Sequence, residues 1–320
     1  MYTKQKRVIV LDYQKLIKAY EKHKTYTAAA RSLGMARKTY TTHLKKALKA
    51  QQDAKPEKTC MTKYGMKIIS ETVTIVYFTD AHNQPDLPTD RFKWLAKYVN
   101  EIDPEYLIDG GDFDDLQSLC SHERNDSFSG KFKPAFQDDL AASEKARKII
   151  DETLTVQPIK HVTLGNHEQR LWDFENSNPE TFGMMQHAYL DILDRYGWNV
   201  TKYRDYLTVA GIDFTHIPMT VMNRPVGGKT PCNIVSRDSI KDVCFGHTHG
   251  LGLQVSHKLG PCRSVIAFNG GCFMPDKYMP AYAKGSQKEF WYGCHKLESN
   301  NGRLHIAESI TMNELKKRYS

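Results

Sequence analysis

Apolar residues along this chain recur in short runs that stop abruptly at clusters of polar groups. "TVTIVYF" gives way to "TDAH", "EYLI" to "DGGDFDD", "HVTL" to "GNHE", "IDF" to "THIP" and "DVCF" to "GHTHG". Runs this short and this apolar predict buried strands, because a strand covered on both faces loses its polar alternation. Helical stretches at 138–154 and 184–195 lie between some of them. Strands alternating with helices predict an α/β layered fold. Sites in open sheets of this kind collect at the carboxyl ends of strands, and all five clusters sit at such ends.

The beginning of the chain is patterned differently. "DYQKLIKAYEKH" places Leu16, Ile17 and Tyr20 on one helical face, and "TYTAAARSLG" reads as a short helix stopped by Gly34. "ARKTYTTHLKKALK" then sets Tyr40, Leu44 and Leu48 at helical spacing, with Arg37, Lys38, Thr41, Thr42 and Lys45 on the opposite face. Three short helices with a glycine turn before the third resemble a helix-turn-helix domain of the homeodomain-like type, whose last helix enters the major groove. That resemblance implies a DNA-binding domain over 1–52, with those five polar residues as candidate DNA contacts. A three-helix unit that mediates protein contacts is the alternative. The stretch 53–68, with few apolar residues and mixed charge, reads as a linker, and 69–320 as the main body.

Charge sharpens this division. The net charge is +8, yet residues 1–60 carry 15 Lys and Arg against 4 Asp and Glu, a balance of +11 that leaves −3 for the rest. A cationic segment joined to a near-neutral body suggests a polyanionic partner for the segment. Seven scattered cysteines without a CxxC pair argue against a disulfide framework and a cysteine-rich zinc site, and fit a reducing compartment. The apolar run from Val8 to Leu11 is too short for a signal-peptide core, and no run approaches a membrane span. A cytoplasmic protein with no membrane association is expected.

The polar clusters carry metal-ligand chemistry. Asp80 and His82 are separated by one residue, as are His247 and His249, and in an extended chain side chains two apart share a face. Asp112 follows Gly110 and Gly111, where backbone can turn and approach closely. Asn166 adds an amide oxygen and His216 a further imidazole. Seven such groups exceed what one zinc ion takes and suit two divalent ions with a bridging carboxylate, roughly 3.5 to 4 Å apart. Mixed nitrogen and oxygen donors favour manganese, with iron or zinc as alternatives, over calcium.

In this order, DxH, GGD, GNHE, a lone His and GHTH resemble the calcineurin-like metallophosphoesterase superfamily, and the GNHEQRL run is similar in style to phosphoesterases carried by bacteriophages. In a phage-encoded protein the expected compartment becomes the host cytoplasm. The resemblance implies a four-layer α/β/β/α sandwich with a binuclear site between its sheets. It assigns Asp80, His82, Asp112 and His249 to one metal, and Asp112, Asn166, His216 and His247 to the other. It makes Asp112 the bridge and His167 the proton donor to the leaving oxygen. Hydrolysis would use a hydroxide shared by the two cations. Glu168 either orients its neighbours or caps a helix. Arg170 is a candidate phosphate contact or a surface ion pair.

Two loops are candidate rims. The loop "CSHERNDSFSGKFKPAF" offers His122, Lys131 and Lys133 to substrate and Phe132 and Phe136 to a base, while "NRPVGGKTP" offers Lys229. The expected function is a phosphodiesterase or nuclease delivered to DNA by the basic domain. The alternatives are a phosphomonoesterase acting on phosphoprotein or nucleotide, and a DNA-binding regulator with an inert body.

Overall fold

The computed structural model describes residues 18–20, 22, 23, 25–42, 44, 45, 59–61, 67–69, 72–121, 131–259, 264–280 and 290–320. The chain divides into two compact units, Met1–Ser70 and Glu71–Ser320.

In the first unit, helix α1 (Tyr26–Ser32) begins at Thr25, whose side chain accepts from the amide of Ala28. Helix is also present at 18–20, 22–23, 37–42 and 44–45. Ala19, Ala29, Ala30, Tyr40 and Leu44 form its buried core, so the expected apolar stripe is the packed one where it is described. Leu16, Ile17 and Leu48 lie outside the described residues. Arg37, Lys38, Thr42 and Lys45 are exposed and Thr41 is half-buried. The hydroxyls of Thr41 and Thr42 donate at 2.9 Å to the carbonyls of Arg37 and Lys38, so both are engaged with their own helix. The stretch expected to be a linker is not wholly irregular. Strand β1 (Thr59–Met61) pairs antiparallel with β2 (Lys67–Ile69), where the β-branched Thr59, Ile68 and Ile69 suit strand backbone.

The second unit holds two sheets. One has six strands in the order β13-β12-β3-β4-β5-β6: β3 (Thr72–Phe78), β4 (Tyr106–Asp109), β5 (Ile159–Thr163) and β6 (Asn199–Thr201) run parallel, while β12 (Gly293–Asn300) and β13 (Arg303–Thr311) are antiparallel additions. The other has five, in the order β10-β11-β9-β8-β7, from β7 (Leu207–Val209), β8 (Ile212–Phe214), β9 (Val243–Phe245), β10 (Leu251–His257) and β11 (Ser264–Gly270).

Strand β3 shows how the layers are made. Its odd residues Ile75 and Tyr77 join Phe214, Cys244, Phe268 and Leu297 in a core between the two sheets. Its even residues Val76 and Phe78 face the other way, into a core shared with α2 (Asp90–Ile102), α3 (Phe136–Thr153), α5 (Met184–Arg195) and α7 (Met312–Tyr319). Period-two geometry sends neighbours to opposite faces, and because both faces are covered the strand reads as one apolar run. On the far face of the five-stranded sheet, Cys232 and Val235 of α6 (Pro231–Asp238) pack on Val243, Phe245 and Ala267.

Candidate metal centre

Each expected ligand follows the carboxyl end of a strand: Asp80 and His82 after β3, Asp112 after β4, Asn166 after β5, His216 after β8, and His247 and His249 after β9. The first three strands belong to the larger sheet and the last two to the smaller. The five segments meet where the sheets face one another. Asp112 Oδ2 lies 3.1 Å from His216 Nε2, and His216 Nε2 lies 3.2 Å from Asn166 Oδ1. His247 Nδ1 is 2.8 Å from that same amide oxygen. On the other side, Asp80 Oδ1 is 3.1 Å from His249 Nε2, and His249 Nε2 is 3.1 Å from His82 Nε2.

Asp80–His82–His249 and Asp112–His216–His247 are therefore two groupings able to hold a cation, and His82, Asp112 and His167 form a third between them. The donor set suits a divalent metal. Two imidazole nitrogens 3.1 Å apart compete for a single proton or share a single cation. The Nδ1 of His216 is committed to the carbonyl of Gly110 at 2.9 Å, which leaves Nε2 as the ligand atom.

The electrostatics point the same way. Burial opposes ionisation of Asp112, but His216 and His167 beside it hold the carboxyl well below the usual carboxylate range. Burial also opposes charge on His82, yet Asp115, Asp80 and Asp112 outweigh it and push the imidazole up to about 10. Burial and the adjacent His216 push His247 down to about 4. Clustered carboxylates thus call for positive charge here, which imidazolium or a metal cation supplies.

An extended chain would put Asp80 and His82 on one face. Instead both are left-handed, with φ of 54° and 42°, as are Asp112 at 49°, His247 at 66° and His249 at 58°. Left-handed backbone is costly for residues with a Cβ, and it recurs where surrounding structure imposes it. The curled backbone, not an extended strand, turns these side chains inward. Glycines permit the close approach: a Cβ on Gly165 would sit 2.0 Å from Asp112 Oδ1, and one on Gly246 2.3 Å from Asp80 Oδ2.

The GNHE stretch opens α4 (Asn166–Ser177). The amide of His167 in its first turn donates to Asp112 Oδ1 at 2.8 Å, where unpaired N–H groups favour an anion. Glu168 is wholly buried and accepts three amides: Gly165 at 2.8 Å, Asp112 at 3.0 Å and Asp114 at 3.2 Å. It both caps the helix and orients the Asp112 turn, so the two readings of this residue are one. Beneath, Asp109 accepts from the amide of Gly111 at 3.0 Å and from Arg147 at 2.7 Å. The Arg147 guanidinium is stacked 3.5 Å from the Phe113 ring centroid and 4.4 Å from that of Trp198.

Asp115 was not singled out from the sequence, although it closes the "GGDFDD" cluster. Its Oδ1 lies 2.7 Å from His167 Nδ1, and its backbone carbonyl lies 2.9 Å from the same nitrogen. Arg170 is no surface pair: it donates to the Asp115 carbonyl at 2.6 Å and lies 3.2 Å from His167 Nε2. Lys229 is exposed, on the segment between His216 and α6, with no hydrogen bond or ion pair to the ligand cluster. Phe136 packs against the helix-side core instead of standing ready to stack, and Lys133 donates to the carbonyl of Cys120. His122 lies outside the described residues.

No curated protein matches the chain. Among solved structures it is similar to a predicted phosphoesterase from Streptococcus pneumoniae TIGR4, with 10% identity, 76% of this chain and 91% of that one covered, and a TM-score of 0.31. It is also similar to the Escherichia coli phosphoesterase YfcE, at 12% identity over 76% and 94% of the chains, with a TM-score of 0.36. A third likeness is to the Pseudomonas putida nuclease MPE, at 16% identity over 72% and 86%, with a TM-score of 0.32. The sequence profile of one family covers residues 73–251, which include every one of the ligand residues described above: the chain belongs to the calcineurin-like phosphoesterase family.

Proposed function

We propose that this protein is a binuclear metal-dependent phosphodiesterase that acts on nucleic acid. The observation that carries the reading is the meeting of Asp80, His82, Asp112, Asn166, His216, His247 and His249 around Asp112, with His167 beside them on Asp115. Asp80, His82, Asp112 and His249 would hold one ion, and Asp112, Asn166, His216 and His247 the other. When bound, divalent ions supply Lewis acidity and lower the pKa of water.

The remaining work falls to the chain itself. Asp115 accepts the Nδ1–H of His167, which leaves Nε2 facing Arg170 and the cluster. The guanidinium of Arg170 can only donate to that nitrogen, so His167 passes a proton from Nε2 to the departing oxygen with Arg170 held instead on the Asp115 carbonyl to which it also donates. Arg37, Lys38 and Lys45, exposed on the basic first unit, engage DNA phosphates.

The test is a panel of DNA, RNA, bis-p-nitrophenyl phosphate, p-nitrophenyl phosphate and phosphopeptide, offered to manganese-loaded protein. Cleavage of nucleic acid and of the diester is expected. Turnover confined to p-nitrophenyl phosphate and phosphopeptide would replace this reading with a phosphomonoesterase.

A further inference from the structure

Among the described residues, four strands form the open ends of the two sheets in the second unit, and they are not alike. β6 and β7 are three residues long. β13 carries Arg303 and Glu308, and its register with β12 shifts at Glu298 and Ser299. Short length, charge and irregular pairing all keep an open edge from joining another strand. β10 has none of them. It runs seven residues, pairs with β11 in one unbroken register, and carries no Asp, Glu, Lys, Arg or Pro from Leu251 to His257.

The backbone of β10 is turned outward at alternate residues. The amide of Ile266 donates at 2.8 Å to Asp242 Oδ1, on the β9 side of β11. Val255, opposite Ile266, therefore directs its own N–H and C=O away from β11, and alternation gives Leu251, Leu253 and His257 the same direction. The Val255 carbonyl accepts from the Gln254 side chain at 3.0 Å, a bond that a neighbouring strand can replace.

The side chains divide between two faces. Gly252, Gln254 and Ser256 lie on the face that α6 covers: Ser256 Oγ is 2.7 Å from Ser236 Oγ, and a Cβ on Gly252 would sit 3.1 Å from Cys232 Sγ. Leu253 and Val255 share the other face with Phe268 and Ile266 of β11, which pack in the core between the sheets. That core ends at β11. Leu251, Leu253 and Val255 extend its apolar surface and are 43%, 53% and 37% exposed.

A strand with this pattern matches itself. Turned about a two-fold axis at Gln254, it sets Leu253 against Val255 of a second copy and Leu251 against His257, with no like charges opposed. The backbone groups that face outward are then the ones that meet. We infer that β10 pairs antiparallel with β10 of a second copy of this chain, joining the two five-stranded sheets into one. Because His249 stands two residues before Leu251, the metal centres of the two copies then lie toward opposite ends of the joined strands.

The test is made on the full chain. Across a concentration series in analytical ultracentrifugation, the wild type should sediment as a reversible dimer. Leu253→Lys places a lysine on the edge and should raise the dimer dissociation constant by at least about tenfold, with the circular dichroism spectrum unchanged. Gln254→Cys reads the register without altering the apolar face. On the axis its Cα would lie about 4.5 Å from its counterpart, within the span of a disulfide. Oxidation should therefore give a covalent dimer well above the wild-type level, and Leu251→Cys should not. A wild type that stays monomeric throughout, a dimer that Leu253→Lys leaves intact, or Gln254→Cys crosslinking no better than Leu251→Cys would each overturn the pairing.

Discussion

His167 Nδ1 stands 2.7 Å from Asp115 Oδ1, a pairing between the residue after a ligand in one strand-end cluster and the last acid of another. A carboxylate on Nδ1 fixes the tautomer and orientation of the ring. We expect Asp115→Asn to keep its metal and lose about 10² or more in turnover of alkyl phosphodiesters. Steady-state rates beside elemental analysis check this. A variant with unchanged rates would show that the pairing is structural only.

His167 itself should act on chemistry. His167→Gln is expected to retain both ions and lose roughly 10² to 10⁴ with a poor leaving group. The loss should shrink with nitrophenolate, which departs without a proton. Because His167 also lies in a possible metal grouping with His82 and Asp112, metal content decides its role: a variant that loses metal makes it a ligand.

Gly165 carries no functional group, yet its replacement should resemble loss of a ligand. A Cβ there would press within 2.0 Å of Asp112 Oδ1 and 2.6 Å of the Asp112 amide. Gly165→Ala and Asp112→Asn should both bind less than half the wild-type metal, measured by elemental analysis. Two tightly held ions in either variant would sink the assignment of Asp112 as the bridge.

Buried His295 predicts an acid limb of stability. Its Nε2–H donates to the Gly270 carbonyl at 2.8 Å, which leaves Nδ1 to accept from Ser309 Oγ at 2.9 Å, and burial pushes its pKa down to about 4. The folded state thus binds the proton less readily than the unfolded chain, whose histidine titrates near its ordinary 6.5. Stability is full above that value and falls as pH drops from about 6.5 toward 4, by about 3 kcal/mol for this group. Denaturant titrations across that window should show a shallower pH slope in His295→Gln. An identical slope would move the effect elsewhere.

The basic first unit should be read by salt. If Arg37, Lys38 and Lys45 each meet a phosphate, replacing all three with Ala should flatten the slope of log K against log salt by about 2.7 on duplex DNA, at about 0.9 per contact. Hydrolysis of small nitrophenyl esters should be unchanged. Equal slopes in both proteins would favour the protein-contact role of the three-helix pattern.

Much of the second unit was legible along the chain, because hydrophobic periodicity is local. The runs ending in TDAH, DGGD, GNHE, THIP and GHTH are strands followed by inward-facing polar groups, and each can be read within about ten residues. Residue type also announces chemistry, since Asp, Asn and His are the donors a divalent cation takes. Partnership is different. Nothing near Asp115 marks it as the companion of His167, nor Gln84 as the companion of Asp115, because these bonds span 52 and 31 residues. Glu168 shows the same limit. Its three amide donors lie partly in its own helix turn and partly in the turn after β4, so capping and orienting could not be separated until both were in place. The curl at Asp80, His82, Asp112, His247 and His249 was also invisible, since a left-handed φ on a residue with a Cβ is imposed by packing, not by propensity. Sequence by itself determined which groups stand at the strand ends. The meeting of two sheets decided which of them touch, because that depends on contacts between segments far apart in the chain.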